Sequence, residues 1–217
     1  MIDSTAQAYE FILYCYFGDM SNPIEAAIDR AYIDMASHTL RGFAGEDYKR
    51  KWALRYAASE KIKEMLEKIS EDFDEWHKET CRMIQNTYED KKIDFSYGQA
   101  QKWLNMTTKY LYVFSLVFAD RKDKRLTAIP EFIINHHEKL HIPIDNFILL
   151  EQGLVKYRPW SRMDEDTYNK CRSDLEGKDI DWELENWNNA SYAQKANDIS
   201  SYARYKFDKK DCNNCGV

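Results

Sequence analysis

Two residues that lie far apart in the sequence have the side chains that amine chemistry needs. Lys102 lies at the end of a short polar run, and Asp145 follows directly after Pro143-Ile144. A lysine amine becomes a nucleophile when an apolar setting disfavours its ammonium form, and a nearby carboxylate can assist it. Lys102 and Asp145 are therefore a candidate pair for such chemistry, and we expect their side chains to approach each other across one pocket.

A second set of side chains is suited to binding a ligand beside that pair. Amide groups read base edges, and aromatic rings stack on bases. Lys102, Asn105 and Lys109 follow helical spacing, so they form one narrow stripe. Small residues at 98 and 100 would let backbone N–H groups approach a phosphate at a helix N-terminus. The candidate ligand-binding residues are Gly98, Gln99, Gln101, Trp103, Asn105, Lys109 and His141.

Most of these residues belong to one predicted helix, which extends from about residue 98 to residue 120. Its apolar residues recur at helical spacing and cover most of its circumference, which predicts a central, buried helix. Polar groups on such a helix need partners from the fold or from a ligand. The apolar residues are Trp103, Leu104, Met106, Tyr110, Leu111, Val113, Phe114, Val117 and Phe118.

The rest of the chain predicts an all-α fold, a compact multi-helix domain over residues 1–207 with a flexible tail at 208–217. Only 7 Gly and 4 Pro among 217 residues favour long helices over a sheet with many tight turns. We expect a buried helix over residues 4–17, a helix beginning at Asn22-Pro23, and a helix capped by Ser70. Further helices are expected from Pro143, over 161–176 and over 189–207, with an acidic connection at 179–185.

Composition and charge limit the partners. The net charge of −6 argues against nonspecific coating of nucleic acid. The alternating charges of residues 47–90 indicate a solvated helix face, or a face that binds a protein partner. No apolar run reaches the roughly 18 residues of a membrane span. The N-terminus lacks the pattern of a signal peptide, and the five cysteines lack the spacing of a disulfide framework, so a cytoplasmic protein is expected.

The sequence predicts neither a metal site nor a cofactor. His137 and His141 would share a helix face, as metal ligands can, but Pro143 disfavours a helix there. Cys212 and Cys215 have the spacing of half a zinc site, and a second such pair is missing from the sequence. A phosphate-binding loop and a dinucleotide-binding fingerprint are also absent from the sequence.

The run Gly98-Gln99-Ala100-Gln101-Lys102 resembles the hairpin of the helix-hairpin-helix DNA glycosylases, whose signature is Gly-x-Gly-x-Lys leading into a helix. The resemblance implies DNA as partner, Lys102 as the catalytic amine and Asp145 as the carboxylate that activates the nucleophile or stabilises the sugar cation. Ala100 replaces the second glycine, and Ser96-Tyr97 replaces the preceding Leu-Pro. The same stretches also resemble uncharacterised bacterial and phage proteins, which implies no activity.

Three hypotheses follow from these residues. The first is recognition of nucleic acid or a nucleotide, with glycosylase-like chemistry at Lys102 and Asp145. The second is a non-enzymatic regulatory protein that sequesters a nucleotide or blocks a protein partner. The third is a helical domain in which Gln101 and Asn105 satisfy each other and Asp145 compensates a helix dipole.

Overall fold

The computed structural model describes residues 4–40, 48–89 and 93–186, and secondary structure over these ranges is helical, without strands. The expected helix at 189–207, the flexible tail at 208–217, Cys212 and Cys215 lie outside the described residues. The helices are α1 (Ser4–Phe17), α2 (Pro23–Thr39), α3 (Tyr48–Leu66), α4 (Phe73–Glu89), α5 (Tyr97–Arg121), α6 (Glu131–Asn135), α7 (Asn146–Glu151), α8 (Glu165–Asp174) and α9 (180–186).

Helix α5 is the central element, and this confirms the predicted all-α fold and its central helix. It packs against α2 and α4 along its length and against α6 and α8 at shorter contacts. Its first turn is fixed by a capping box: the side chain of Ser96 accepts from the backbone N–H of Gln99, and the Gln99 side chain accepts from that of Ser96. The helix ends at Lys122, which adopts the left-handed conformation of a C-terminal cap.

Helix α1 has the predicted bounds, but its predicted burial is wrong. Leu13 is its one buried residue, whereas Phe11, Ile12 and Tyr14 are each about two-thirds exposed. The reason is its position: α1 lies at the edge of the molecule and packs on α2, while its apolar residues surround the whole helix. One side of α1 therefore presents large apolar side chains to solvent.

The start of α2 follows the prediction, and the start of α4 does not. Asn22 caps α2 by accepting from the backbone N–H groups of Ile24 and Glu25. Helix α4 begins at Phe73, and the carboxylate of Asp72 accepts from the backbone N–H of Glu75 at 3.3 Å. Asp72 therefore replaces Ser70 as the cap of α4, because it lies directly before the first helical residue.

Some of the charged side chains of α3 form ion pairs with side chains of α2. Lys63 lies 2.6 Å from Glu25, and Arg55 lies 2.6 Å from Asp29, so two ion pairs join α3 to α2. Trp52, which was expected on the inward face of α3, is 47% exposed, and Tyr56 of the same predicted face is 67% exposed.

The segment between α6 and α7 differs from the prediction and is important for the site. A helix was expected from Pro143, but residues 140–145 are not helical and α7 begins at Asn146. The side chain of Gln101 donates to the carbonyl of Ile144 at 2.8 Å and accepts from its N–H at 3.3 Å. These bonds hold the segment to α5, so the helix starts later. The acidic stretch at 179–185, expected as a connection, is largely the helix α9.

Candidate functional site

A cavity of about 770 Å³ lies between α1, α5 and the start of α7. We call it the α1–α5 cavity. Its volume falls within the range of small-molecule sites, roughly 300–1,000 Å³. Most of its lining is apolar and aromatic, and it comes from Ile12, Leu13, Tyr16, Phe17, Met106, Tyr110, Val113, Phe147, Trp160 and Leu184.

Lys102 and Asp145 meet on the wall of this cavity. The ammonium nitrogen of Lys102 lies 2.6 Å from Oδ2 of Asp145, and both side chains are about nine-tenths buried. The other carboxylate oxygen, Oδ1, accepts from the backbone N–H groups of Phe147 at 2.8 Å and Ile148 at 3.2 Å. Asp145 is thus both the N-cap of α7 and the partner of a buried lysine.

A second buried ion pair lies about two helical turns further along α5. Lys109 also lines the cavity, and its ammonium lies 2.7 Å from Oε1 of Glu183 on α9. Within the described part of the chain, Oε2 of Glu183 is buried and has no hydrogen-bond partner. Burial raises the pKa of Glu183 above its ordinary value, against the opposing effect of Lys109.

Sequence reasoning missed Glu183 because the acidic stretch around it was assigned to a connection. The spacing of Ile180 and Leu184 on either side of Glu183 is the signal that could have placed it on a helix. Ile180 is fully buried and Leu184 lines the cavity, so the acidic residue between them faces inward.

The wall contributed by α2 carries a further charged group that the sequence did not indicate. Asp34 lines the cavity, accepts a hydrogen bond from the hydroxyl of Tyr110 and lies 2.6 Å from Arg30. Burial raises the pKa of Tyr110 well above its ordinary value, so the phenol keeps its proton. The Arg30 guanidinium also lies 3.9 Å from the ring centroid of Tyr16, which fixes the rim of the cavity on this side.

The expected phosphate cradle at Gly98 and Gln99 is not formed. The backbone N–H of Gly98 donates to the carbonyl of Met163 at 2.9 Å, and that of Gln99 donates within the capping box. A Cβ atom at Gly98 would lie 1.9 Å from the carbonyl oxygen of Trp160. Gly98 therefore permits close packing of the chain against α5, and the amides that were expected to bind a ligand are already bonded.

Trp103 and Gln101 also lie inside the protein and not at the cavity. Trp103 is completely buried, its indole N–H donates to the carbonyl of Ile28 at 3.0 Å, and its ring packs edge-on against Tyr32. Gln101 is completely buried and bonded to Ile144 as described above. Both side chains are therefore bonded within the fold and do not line the α1–α5 cavity.

Asn105 and His141 belong to a continuous chain of hydrogen bonds on the side of α5 that faces α4 and α8, and every member of it except Asp74, whose side chain is 71% exposed, is buried. His141 lies 2.7 Å from Asp74 through Nε2 and 3.0 Å from the Tyr168 hydroxyl through Nδ1. Asn105 donates to that hydroxyl oxygen at 3.1 Å, and its own carbonyl oxygen lies 2.7 Å from Nε2 of His77. We call these five residues the buried polar chain.

The partners in the buried polar chain fix where its protons lie. A carboxylate only accepts, so Nε2 of His141 carries the proton and Nδ1 accepts from Tyr168. Burial lowers the pKa of His141 to about 4, with the nearby Asp74 opposing this effect. Both ring nitrogens of His141 are therefore engaged in hydrogen bonds within the fold.

The histidines do not form a metal site in the part of the chain that the structure describes. His137 lies in a short 3₁₀ turn with Nε2 3.0 Å from Asp181, and His141 lies beyond that turn. The structure brings together no group of three or more His, Cys, Asp or Glu side chains suited to a metal within the described ranges. None of the described helices has the length and apolar character needed to cross a bilayer.

The structure therefore brings Lys102, Lys109 and Asp145 to one cavity and places the other expected site residues elsewhere. Comparison with protein-family models, with curated proteins and with solved structures finds no match to this chain. Its function must be inferred from the geometry of the cavity.

Proposed function

We propose that the protein binds one small molecule in the α1–α5 cavity. The observation that carries this proposal is the Lys102–Asp145 ion pair on the wall of a largely apolar cavity of ligand size. An apolar pocket with a few convergent polar groups is the usual form of a small-molecule site. The ligand then has a ring or chain that packs against α1 and α5, and an ionic group that reaches the lysines.

A single nucleotide belongs to this class of ligand, and it is the member that the sequence-based expectation favours. Its base would pack among the aromatic residues of the cavity, such as Tyr16 and Phe147, and its phosphate would meet Lys102 and Lys109. A nucleotide also suits the alternative of a non-enzymatic regulator, because sequestration of a small molecule requires a cavity and no catalysis.

A panel of nucleoside monophosphates and aromatic carboxylates, screened by ligand-observed NMR, tests the proposal. Val113 lines the cavity, so Val113→Trp should fill it and abolish binding. Leu116 lies on the same helix and is 50% exposed, so Leu116→Trp is the matched control and should leave binding intact. Binding that survives Val113→Trp would place the ligand elsewhere and refute the proposal.

A second candidate function is amine chemistry at Lys102, favoured by its 2.6 Å approach to Asp145 at the cavity wall. The carboxylate lies where it can accept a proton from the amine, as nucleophilic catalysis by lysine requires. Borohydride treatment of the protein with an abasic-site oligonucleotide should then trap a covalent adduct that Lys102→Ala abolishes. No adduct, or one that persists in Lys102→Ala, ends this candidate.

A further inference from the structure

The charges around the α1–α5 cavity form one electrostatic group. Lys102 pairs with Asp145 and Lys109 pairs with Glu183, at 2.6 and 2.7 Å. The pairs also interact with each other, because both Lys102 and Asp145 influence the titration of Glu183. On the α2 wall, Asp34 is already neutralised by Arg30. The positive and negative charges of this group balance when the cavity is empty, so a charged ligand must change that balance.

The hydrogen-bonding capacity of this group favours an anion as ligand. An ammonium carries three N–H donors, and the bond from Lys102 to Asp145 uses one of them. Asp145 already accepts from Lys102 and from two backbone N–H groups. The cavity wall therefore offers donors to a ligand more readily than acceptors, and an oxyanion is the group that such donors bind best.

Glu183 is the carboxylate that an arriving anion would disturb most. Asp145 and Asp34 are each held by several donors, whereas Glu183 has one buried oxygen without a partner among the described residues. Burial without hydrogen bonds destabilises a carboxylate more than it destabilises a neutral carboxyl group. A negative charge placed beside Lys109 would weaken the ion pair that keeps Glu183 ionised.

We infer that the ligand of the α1–α5 cavity is an anion on an apolar body, and that its binding is coupled to the uptake of one proton by Glu183. This inference rests on the proposed small-molecule function. The proton comes from solvent and converts the Glu183 carboxylate to a carboxyl group, so the charge of the site is the same before and after an anion of charge −1 enters. Carboxylates, sulfonates and singly charged phosphate esters are the chemical classes that fit.

Burial supports this assignment, because it already raises the pKa of Glu183 in the empty site. Among the described residues, the charged groups that influence Glu183 are Lys109 and Lys102 from α5 and Asp145 from the start of α7, and the two lysines oppose the effect of burial. An anion that engages the lysines would weaken this opposition. Binding should therefore strengthen by up to about tenfold for each unit by which the pH is lowered within the titration window of Glu183.

A pair of fluorescent probes provides the test: 8-anilinonaphthalene-1-sulfonate and its uncharged analogue N-phenyl-1-naphthylamine. The sulfonate stays ionised between pH 5 and pH 8, so any proton that is taken up belongs to the protein. Titration calorimetry in two buffers of different ionisation enthalpy counts the protons. We expect the sulfonate to bind more tightly than the neutral analogue and to take up as much as one proton within this range, and the neutral analogue to take up none.

Glu183→Gln removes the titrating group and keeps the shape of the side chain. It should still bind the sulfonate, with no proton uptake and no dependence of affinity on pH. Glu185 lies on the same helix and is exposed, so Glu185→Gln is the matched control and should behave as the wild type. If Glu183→Gln fails to fold, the number of protons that the wild-type protein takes up on binding still tests the inference.

The outcomes separate the two proposals. Absence of binding by both probes contradicts the small-molecule function itself. Binding of the sulfonate without proton uptake anywhere between pH 5 and pH 8 overturns the inference and leaves the function intact. Equal affinity for the two probes overturns the preference for an anion, and proton uptake that persists in Glu183→Gln removes the assignment to that residue.

Discussion

The ammonium of Lys102 lies 2.6 Å from one oxygen of Asp145, and the other oxygen of the same carboxylate accepts from two backbone N–H groups at the start of α7. The side chain of Asp145 thus joins the central helix α5 to the start of α7. The two functions of this carboxylate can be separated by substitution.

Asp145→Ala should be more destabilising than Asp145→Asn. Both lose the ion pair, which leaves Lys102 buried without its partner and costs about 3–5 kcal/mol. Only alanine also loses the cap, which is worth about 1 kcal/mol. Urea denaturation measures both. Asp164 caps α8 from an exposed position, so Asp164→Ala is the control for a cap alone. An Asp145→Ala variant as stable as Asp164→Ala would contradict the energetic role of the pair.

Asn105→Ala should destabilise the fold without changing the affinity of the cavity for a ligand. The substitution removes the partners of His77 and of the carbonyl of Ile142, and each buried polar group left unsatisfied costs about 1–3 kcal/mol. Asn105 does not line the α1–α5 cavity. Denaturation and binding of the sulfonate probe are the two measurements. Asn169→Ala, at an exposed position of α8, serves as control, and weaker probe binding by Asn105→Ala would show that Asn105 contributes to the site.

Gly98→Ala tests the close approach of the backbone at Trp160 to the first turn of α5. The new Cβ would lie 1.9 Å from the carbonyl oxygen of Trp160, so backbone must move, at a cost of about 1–3 kcal/mol or more. Gly177 has a positive φ of 78° and nothing near its Cβ position, so Gly177→Ala isolates backbone strain of about 1–2 kcal/mol. Thermal melting should rank Gly98→Ala as the less stable variant. The reverse order would mean that the approach to Trp160 relaxes easily.

Acidification from pH 6.5 towards pH 4 should destabilise the protein through the buried polar chain. His141 titrates near pH 4 when folded and near 6.5 when unfolded, so over this window the unfolded chain binds more protons. The free energy of unfolding then falls with falling pH, by up to about 3 kcal/mol from His141. His77 contributes with the same sign, because burial also lowers its pKa.

Denaturation at a series of pH values measures this slope, and His141→Gln should reduce it. His136 is half-buried near the surface residues Glu71 and Glu138, so His136→Gln is the control for replacing a histidine outside the buried polar chain. A slope unchanged in His141→Gln would mean that other groups cause the acid sensitivity. Below the ordinary pKa of aspartate near 4, Asp74 adds a further loss, because its bonds to His141 and Arg172 hold its pKa well below that value.

The sequence alone predicts those helices whose bounds depend on residues close together in the chain. The apolar repeat of α5 and the Asn22-Pro23 start of α2 depend on residues within a few positions of each other, so the expected bounds agree with the structure. The approach of Lys102 to Asp145, which are 43 residues apart, was expected from the resemblance to the helix-hairpin-helix glycosylases and not from a local pattern.

The remaining differences come from contacts between residues that are distant in sequence. The start of α7 depends on Gln101, which bonds to the backbone of Ile144 and delays the helix that Pro143 would otherwise begin. The role of Gly98 depends on Trp160, and the exposure of α1 depends on which elements surround it. A single sequence contains no local pattern that reports these pairings.

The nearly complete burial of α5 has a consequence for the evolution of the chain. A helix advances by about 100° per residue, so inserting or deleting one residue before Lys102 would rotate every later side chain away from its partner. The donors for Asp145, Ile142 and Glu183 would then all be misplaced together. Length changes should accordingly be tolerated in the connections around α5 and not within it, where only substitutions can accumulate.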